Sequence, residues 1–176
     1  MVAGIAAGVL GSRLLPPLFA VATGAARARR TDDPFDLLIA DHRKIESLLD
    51  SMAAEPTGAT AKRTALFLML KRKLGKHALA EEDVVYPILH GEAGSSTQSK
   101  ELYDEHADIK ILLFQIEEIL MRGGDWSEPV NSLRSLVMSH IQEEESDVFP
   151  RLRQNFDQVR KGKVSGQISR EEALIL

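Results

Sequence analysis

The sequence has no cysteine and few aromatic residues, and each shortage removes a class of protein or fold. The absence of cysteine excludes disulfide frameworks, iron–sulfur clusters and thiolate zinc sites. Aromatic residues make up only 5% of the 176 residues, and stretches of alternating β-branched residues are hard to find. The chain is therefore predicted to be all-α.

The sequence also gives no sign of a basic face. The 22 lysines and arginines are scattered among 26 acidic residues, which gives a formal net charge of −4. Proteins that bind the phosphate backbone of nucleic acids need clustered positive charge. The sequence therefore predicts that nucleic acid is not a partner.

What the sequence does contain is an internal repeat. The segment HALAEEDVVYPIL, which begins at His77, returns 63 residues later as HIQEEESDVFPRL. The two copies align histidine with histidine, glutamate with glutamate, an aromatic residue with an aromatic residue, and proline with proline. Two upstream segments, 41–49 and 105–113, also match each other, at an offset of 64. The chain is therefore predicted to contain two copies of one helical hairpin.

Apolar residues recur at helical spacing in four segments. The first helix begins at Thr31-Asp-Asp-Pro, and the second runs over about 60–86 until Pro87 stops or kinks it. The third covers about 97–121 before a glycine pair, and the fourth runs from Ser127-Glu-Pro to about Pro150. These segments predict an up-down-up-down four-helix bundle over residues 31–152.

The two ends of the chain differ from this region. Residues 1–30 form an apolar tail, in which Arg13 is the one charged residue among the first 26. Three interpretations stay open for residues 1–26: a membrane-associated segment, a cleaved secretory signal, or a tail that packs on the domain or is disordered. Residues 153–176 are a polar C-terminal extension. The protein is expected in the cytoplasm, with membrane contact through the N-terminal segment.

The repeat places chemistry-bearing side chains at matched positions. Residues four apart on a helix share a face, so each downstream copy aims one imidazole and one carboxylate at the same point. Burying such groups without a partner costs several kcal/mol per charge, which a metal ion would offset. Mixed nitrogen and oxygen ligands suit iron, or manganese, better than calcium or magnesium. The candidate metal ligands are His42, His77, Glu81, His106, His140 and Glu144.

Neighbouring titratable residues are predicted to lie outside this set. Glu82, Glu143 and Glu145 are expected to be solvated, because they fall beside the shared face and not on it. His90 is the fifth and last histidine. It follows Pro87 in a glycine-containing segment, and we expect it in a loop outside the bundle.

From about residue 34 to 152, the pattern resembles the hemerythrin-like, or HHE cation-binding, domain family. The resemblance implies a four-helix bundle with a non-haem di-iron centre, in which the four histidines cap the irons and Glu81 and Glu144 bridge them. The chain departs from the oxygen-carrying hemerythrins, which have a second histidine four residues from the one on the third helix. Here those positions are Leu102 and Lys110. Tyr103 or water would then take the place of the missing ligand.

The resemblance implies a range of functions, and the residues do not choose within it. The first is a protein that binds or senses oxygen, nitric oxide or peroxide, or responds to iron status. The second is a di-iron enzyme that removes peroxide or performs another oxidative reaction, for which no substrate pocket is legible in the sequence. The third is a structural or membrane-adaptor protein that the metal stabilises.

Overall fold

The computed structural model describes residues 33–57, 60–92 and 94–175, and its regular elements are all helical. This confirms the all-α prediction for the described part of the chain. We number the helices in chain order. They are α1 Pro34–Ala53, α2 Thr60–Ala80, α3 Tyr86–His90, α4 Ser96–Met121, α5 Ser127–Glu143, α6 Phe149–Gln154 and α7 Gln158–Leu174.

Local sequence signals explain where α1 begins and where α4 ends. The carboxylate of Asp33 accepts a hydrogen bond of 3.0 Å from the backbone N–H of Phe35, and Pro34 occupies the first turn, where its missing N–H has no cost. After α4, Gly123 adopts a φ of +70°, a left-handed conformation that ends helices and favours glycine. These two boundaries agree with the sequence prediction to within a residue.

Two widened turns interrupt the helices at equivalent places in the two repeats. Glu81–Val85 joins α2 to α3, and Glu144–Val148 joins α5 to α6. In each, a backbone N–H donates to the carbonyl five residues back, from Tyr86 to Glu81 and from Phe149 to Glu144. These π turns each precede a proline, whose ring clashes with the carbonyl four residues back in a regular α-helix. The second helix thus continues through Pro87 to His90.

The four longer helices of the repeat contact one another in a closed ring, α1 to α2, α2 to α4, α4 to α5 and α5 to α1. This arrangement is a helical bundle. The C-terminal helix α7 lies against α1, α2 and the first π turn, and buries Val164 and Ile168 there. The residues predicted to be a polar extension therefore include a helix that packs on the bundle.

Buried apolar side chains form two clusters with a polar layer between them. One cluster surrounds the π turns and the other fills the rest of the bundle. Three of the candidate histidines, His42, His77 and His106, lie between residues of the two clusters along their helices, and His140 lies shortly before the second π turn. His42, for example, falls between Leu38 of the first cluster and Ile45 of the second. The polar layer is therefore closed off from solvent by apolar residues on two sides, which strengthens electrostatic interactions within it.

None of the helices in the described ranges combines the length and apolar character that crossing a bilayer requires. The predicted membrane-associated segment, residues 1–26, lies outside these ranges.

Candidate metal centre

The structure brings the six candidate ligands together in the polar layer, each at most 3% exposed. They form two groups whose ligand atoms lie close enough to share a metal ion. The first group is His42, His77, Glu81 and Glu144, and the second is Glu81, His106 and His140. Glu81 belongs to both groups, so the two candidate positions are adjacent.

In the first group, the Nε2 atoms of His42 and His77 lie 2.9 Å apart. Glu81 Oε1 is 3.0 Å from His77 Nε2, and Glu144 Oε2 is 3.3 Å from His42 Nε2. Two imidazole nitrogens, from α1 and α2, and two carboxylate oxygens, from the two π turns, therefore converge on one point.

The second group repeats this pattern with the other half of the chain. The Nε2 atoms of His106 and His140 lie 3.1 Å apart. Glu81 presents its other oxygen, Oε2, 3.5 Å from His106 Nε2, and Glu144 Oε2 is 3.5 Å from His140 Nε2. Each carboxylate thus lies between the two histidine pairs, a position suited to bridging two metal ions.

Three of the four histidines are oriented by a carboxylate on the outer side of the ring. The Nδ1 atom of His42 is 2.7 Å from Glu145, that of His106 is 2.9 Å from Glu82, and that of His140 is 2.6 Å from Glu105. A neutral imidazole that donates from Nδ1 directs the lone pair of Nε2 inward, as in the carboxylate–histidine pairs around bound metals.

The prediction that Glu82, Glu143 and Glu145 are simply solvated is therefore wrong for two of them. Glu82 and Glu145 are only 23% and 22% exposed, because each reaches inward to a histidine of the opposite repeat. Glu143 accepts a hydrogen bond of 2.8 Å from the amide of Gln98.

His77 is the exception among the four, because its buried Nδ1 has no hydrogen-bond partner among the described residues. The repeat aligns Asp41 with Glu105, so Asp41 would be the equivalent partner. Its carboxylate instead forms ion pairs with Lys73 and, at 3.3 Å, with Lys44. The aspartate side chain is one methylene shorter and is directed toward these lysines.

The electrostatics of the layer follow from burial and from the two central carboxylates. Burial alone would lower the pKa of His42 and of His106. The hydrogen bonds and charges of Glu144 and Glu81 outweigh it and raise both pKa values to about 9. For Glu81, burial raises the pKa, but His77 and His106 overcome this and hold it well below its ordinary value. Without metal, the layer is thus neutralised by protons on imidazoles.

The central carboxylate oxygens and imidazole nitrogens are placed to bind a cation, and they are poorly placed to hydrogen-bond one another. Both Oε atoms of Glu81 and Oε2 of Glu144 are buried and make no aligned hydrogen bond within the described residues, although imidazoles lie within ion-pair distance. Each Nε2 also faces another Nε2, so only one of each pair can donate. A metal ion would bind these oxygens and nitrogens together, so these side chains are suited to holding a metal.

Tyr86 is the functional candidate that sequence reasoning missed. Its fully buried hydroxyl lies 3.1 Å from His106 Nε2 and 3.4 Å from His140 Nε2, and it donates to Glu144 Oε1 over 3.0 Å. Burial, followed by the charges of Glu144 and Glu81, raises the tyrosine pKa well above its ordinary value. The signal was present in the repeat, since Tyr86 aligns with Phe149 and only one of the two carries a hydroxyl.

The structure places Tyr103 and His90 away from the centre. The hydroxyl of Tyr103 donates to the backbone carbonyl of Glu82 over 2.7 Å, so of the two alternatives for the missing ligand the structure does not support Tyr103. His90 is exposed and belongs to neither ligand group, which agrees with its placement outside the bundle core. It ends α3, however, and does not lie in a loop.

A cavity of about 310 Å³ lies beside the centre, between α2 and α4. Its inner wall includes His77, His106 and His140, and its outer part is lined by the exposed residues Lys71 and Lys110. Most of the remaining lining is apolar: Ile45, Leu74, Ile109, Leu113, Val137 and Ile141. No sequence pattern indicated this cavity, because its lining residues come from four different helices.

The chain shares sequence with proteins of known family. The sequence model of the hemerythrin HHE cation-binding domain matches residues 33–152. A DNA nickase from Nostoc sp. is 32% identical over 120 residues, which cover 68% of this chain and 33% of that protein. An uncharacterised hemerythrin-like protein from Schizosaccharomyces pombe is 24% identical over 143 residues, or 80% of this chain and 69% of that protein.

This chain therefore spans about a third of the length of the Nostoc relative. No solved structure matches it significantly. The family model covers more than half of the chain, including the six candidate ligands and both π turns. The chain belongs to the hemerythrin HHE cation-binding domain family.

Proposed function

We propose that this chain is a non-haem di-iron protein that binds or senses oxygen, nitric oxide or peroxide, or that responds to iron status. The single observation that carries the proposal is the position of Glu81, whose two oxygens face the two histidine pairs separately. A carboxylate placed in this way can hold two metal ions at once. The proposed ligands are His42, His77, Glu81, His106, His140 and Glu144.

The donor set favours iron among the metals that such a bundle can bind. Four imidazole nitrogens with two carboxylates are a poor match for calcium and magnesium, which prefer oxygen ligands throughout. Manganese fits less well than iron, because it favours a larger share of oxygen ligands. Iron in such a site supplies reversible redox chemistry and affinity for diatomic ligands.

The protein around the site controls what reaches it. The two apolar clusters exclude water from the polar layer on two sides. The cavity between α2 and α4 extends from the surface lysines to the inner histidines, and its apolar lining suits uncharged small molecules such as oxygen or nitric oxide. The cavity between α2 and α4 is therefore an apolar route by which a small ligand would reach the candidate site.

The proposal is tested by the metal content and visible spectrum of the full-length protein. Spectra are recorded before and after reduction and after exposure to oxygen, nitric oxide and peroxide in turn. We expect two irons per chain and a ferric absorption that changes with at least one of these ligands. Absence of iron, or one zinc with a silent spectrum, would contradict the proposal. That result would favour the structural or membrane-adaptor role instead.

We also infer that the helices of the ring alternate in direction, up-down-up-down, as two copies of one hairpin. Contacts of α1 with α5 and the π turn that follows it support this inference, because Arg43 pairs with Glu145 whereas Asp50 pairs with Arg134. Residue numbers thus increase along one helix as they decrease along the other, which is the pattern of antiparallel neighbours.

The cavity favours a second candidate function, the oxidation of an apolar organic molecule. Its volume of about 310 Å³ falls in the range of small-molecule pockets, about 300–1,000 Å³, and exceeds what a diatomic ligand needs. A molecule bound there would lie against His77, His106 and His140, next to the metals. No substrate pocket was legible in the sequence, and this cavity supports the alternative of an enzyme that performs an oxidative reaction.

A filled-cavity variant tests this second candidate. Ala78 lines the cavity, whereas Ala65 is an exposed residue of the same helix that does not. Ala78→Phe should therefore abolish binding of an apolar fluorescent dye, while the control Ala65→Phe should not. Iron content should be the same in both variants. If the dye fails to bind the wild-type protein, or binds both variants equally well, the cavity is not a substrate site.

For partners, we propose small ligands and not nucleic acid. The net charge of −4 opposes binding to a polyanion, and nicking is a property of the Nostoc protein, of which this chain spans about a third.

For location, we propose the cytoplasm with membrane contact through residues 1–26. Deleting residues 1–30 should release the protein from sedimenting membranes and leave its iron content unchanged.

A further inference from the structure

We propose that the hydroxyl of Tyr86 is an additional ligand, bound to the metal on the side of His106 and His140, which makes the two metal positions chemically different. The inference rests on the proposed di-iron function and goes beyond its six ligands. It assigns a phenolate oxygen to one position and none to the other.

The position of the hydroxyl carries the inference. Tyr86 Oη lies 3.1 Å from His106 Nε2 and 3.4 Å from His140 Nε2, the two nitrogens that define the second position. It is also 3.0 Å from Glu144 Oε1. An oxygen in reach of two imidazole nitrogens and a carboxylate occupies the same small space as those ligand atoms. A metal ion held by His106 and His140 would therefore meet this oxygen.

The other half of the repeat provides an internal comparison. Phe149 aligns with Tyr86, and its ring is stacked on His42 with centroids 5.8 Å apart and an angle of 11° between the planes. The first position thus has an aromatic ring beside it but no hydroxyl. The two positions have similar histidine and carboxylate surroundings, so the hydroxyl is the main chemical difference between them.

Tyr86 is also held in place on several sides, as a ligand must be. Its backbone N–H donates to Glu81, and its backbone carbonyl accepts a hydrogen bond of 3.2 Å from Ser99 Oγ. The ring of Tyr103 packs edge-on against it, with centroids 5.1 Å apart. The side chain is 0% exposed, so little rotamer freedom is left to lose when a metal binds.

Coordination needs no oxidant or reductant. With a metal bound, Tyr86 would supply its phenolate oxygen as a ligand, and the hydroxyl proton, now directed at Glu144 Oε1, would be released to solvent. Tyrosinate is a known ligand of ferric iron. Because an anionic oxygen stabilises the ferric state, we expect the iron on this side to be harder to reduce than its neighbour.

The test is the resonance Raman and visible spectrum of the iron-loaded ferric full-length protein. We expect tyrosinate vibrations and a phenolate-to-iron absorption band in the wild type. Tyr86→Phe should lose both features and keep two irons per chain, whereas the control Tyr103→Phe should keep both. Phe149→Tyr places a second hydroxyl at the equivalent point and should strengthen the band.

The outcomes separate this inference from the proposed function. Two irons without tyrosinate features in the wild type would overturn the role of Tyr86 and leave the di-iron proposal standing. Tyrosinate features that persist in Tyr86→Phe would also overturn it, by assigning them to another tyrosine. Absence of iron from the wild type would overturn both. If Tyr86→Phe fails to fold, the Tyr103→Phe spectrum decides, because Tyr86 and Tyr103 are the two tyrosines of the chain and features that survive in Tyr103→Phe belong to Tyr86.

Discussion

At the scale of single residues, adjacent glutamates have different roles in this protein. Glu81 is fully buried and directs both oxygens toward Nε2 atoms, whereas the neighbouring Glu82 is partly exposed and reaches Nδ1 of His106. Glu144 and Glu145 repeat this division, with Glu145 on His42. One glutamate of each pair therefore faces the candidate metal positions, and the other contacts a histidine from the outer side of its ring.

We expect these two classes to respond differently to alanine substitution. Glu81→Ala or Glu144→Ala should remove most of the iron, because each deletes a proposed ligand that lies between the two candidate positions. Glu82→Ala or Glu145→Ala should retain iron at saturation but weaken its affinity about 10- to 100-fold, as outer-shell changes do. Iron titration of the four variants, followed by metal analysis after desalting, measures both quantities.

A surface acid away from the centre provides the control. Asp104→Ala should bind iron like the wild type, because its carboxylate is 65% exposed and pairs with Lys100 on the same helix. Equal iron loss in the variants of Glu81 and Glu82 would show that the two glutamates do not have separate roles.

The sequence could predict which six side chains meet, and it could not predict their surroundings. The histidines and inner glutamates were found because equal spacing in two repeats places them on the same helical face. The roles of Glu82 and Glu145 were missed, because each contacts a histidine from the other repeat and no local spacing encodes that contact. Tyr86 was missed because the repeat suggested only an aromatic core position.

At the scale of helices and turns, the two π turns decide what faces the centre. Tyr86 follows Glu81 by five residues, so in a regular α-helix the two would lie about 140° apart around the axis. The π turn adds a residue to that turn and rotates Tyr86 back toward the side of Glu81. The sequence suggested only a stop or kink at Pro87, because a proline does not specify how the preceding helix accommodates it.

The proline that follows the first π turn can be tested. Pro87→Ala removes the ring that disfavours a regular α-helix, so the turn should relax and move Tyr86 away from the histidines. We expect iron affinity to fall about tenfold and the ferric spectrum to change. The control is Pro129→Ala in the first turn of α5. A backbone N–H is not needed there, so we expect no effect on metal binding.

Unchanged iron affinity and an unchanged spectrum in Pro87→Ala would show that packing around the centre, and not the proline, holds the π turn.

The four helices of the ring were predictable to within a few residues, because their apolar spacing is regular. The packing of α7 was not, because Val164 and Ile168 are isolated apolar residues in a polar segment. The division of the chain at residue 152 stays a prediction.

At the scale of the whole molecule, the stability of the metal-free protein is expected to depend on pH. His42 and His106 bind protons more tightly when folded, so their contribution to stability is full below about pH 6.5 and is lost as the pH rises through about 9. The lowered pKa of Glu81 acts oppositely, because its contribution is present above about pH 4.5 and is lost as the pH falls further. The metal-free chain should therefore be most stable between about pH 4.5 and about pH 6.5.

We expect the urea midpoint of the metal-free protein to be lower at about pH 9.5 than at about pH 6, by an amount equivalent to several kcal/mol. The iron-loaded protein should not show this loss, because bound metal replaces the protons on the imidazoles. His90→Ala should behave like the wild type, because this histidine is exposed and outside the centre. A metal-free protein equally stable at both pH values would contradict the assigned charge balance.

The crossed contacts between the two repeats have a consequence for assembly. Glu145 of the second hairpin orients His42 of the first, and Glu82 of the first orients His106 of the second. The candidate ligand groups cross the repeats as well, because Glu144 of the second hairpin joins the first group and Glu81 of the first hairpin joins the second. Neither hairpin alone can therefore complete a ligand group. If the proposed irons bind, their uptake would require both hairpins to be docked, because a chain in which only one hairpin has folded holds no complete ligand group.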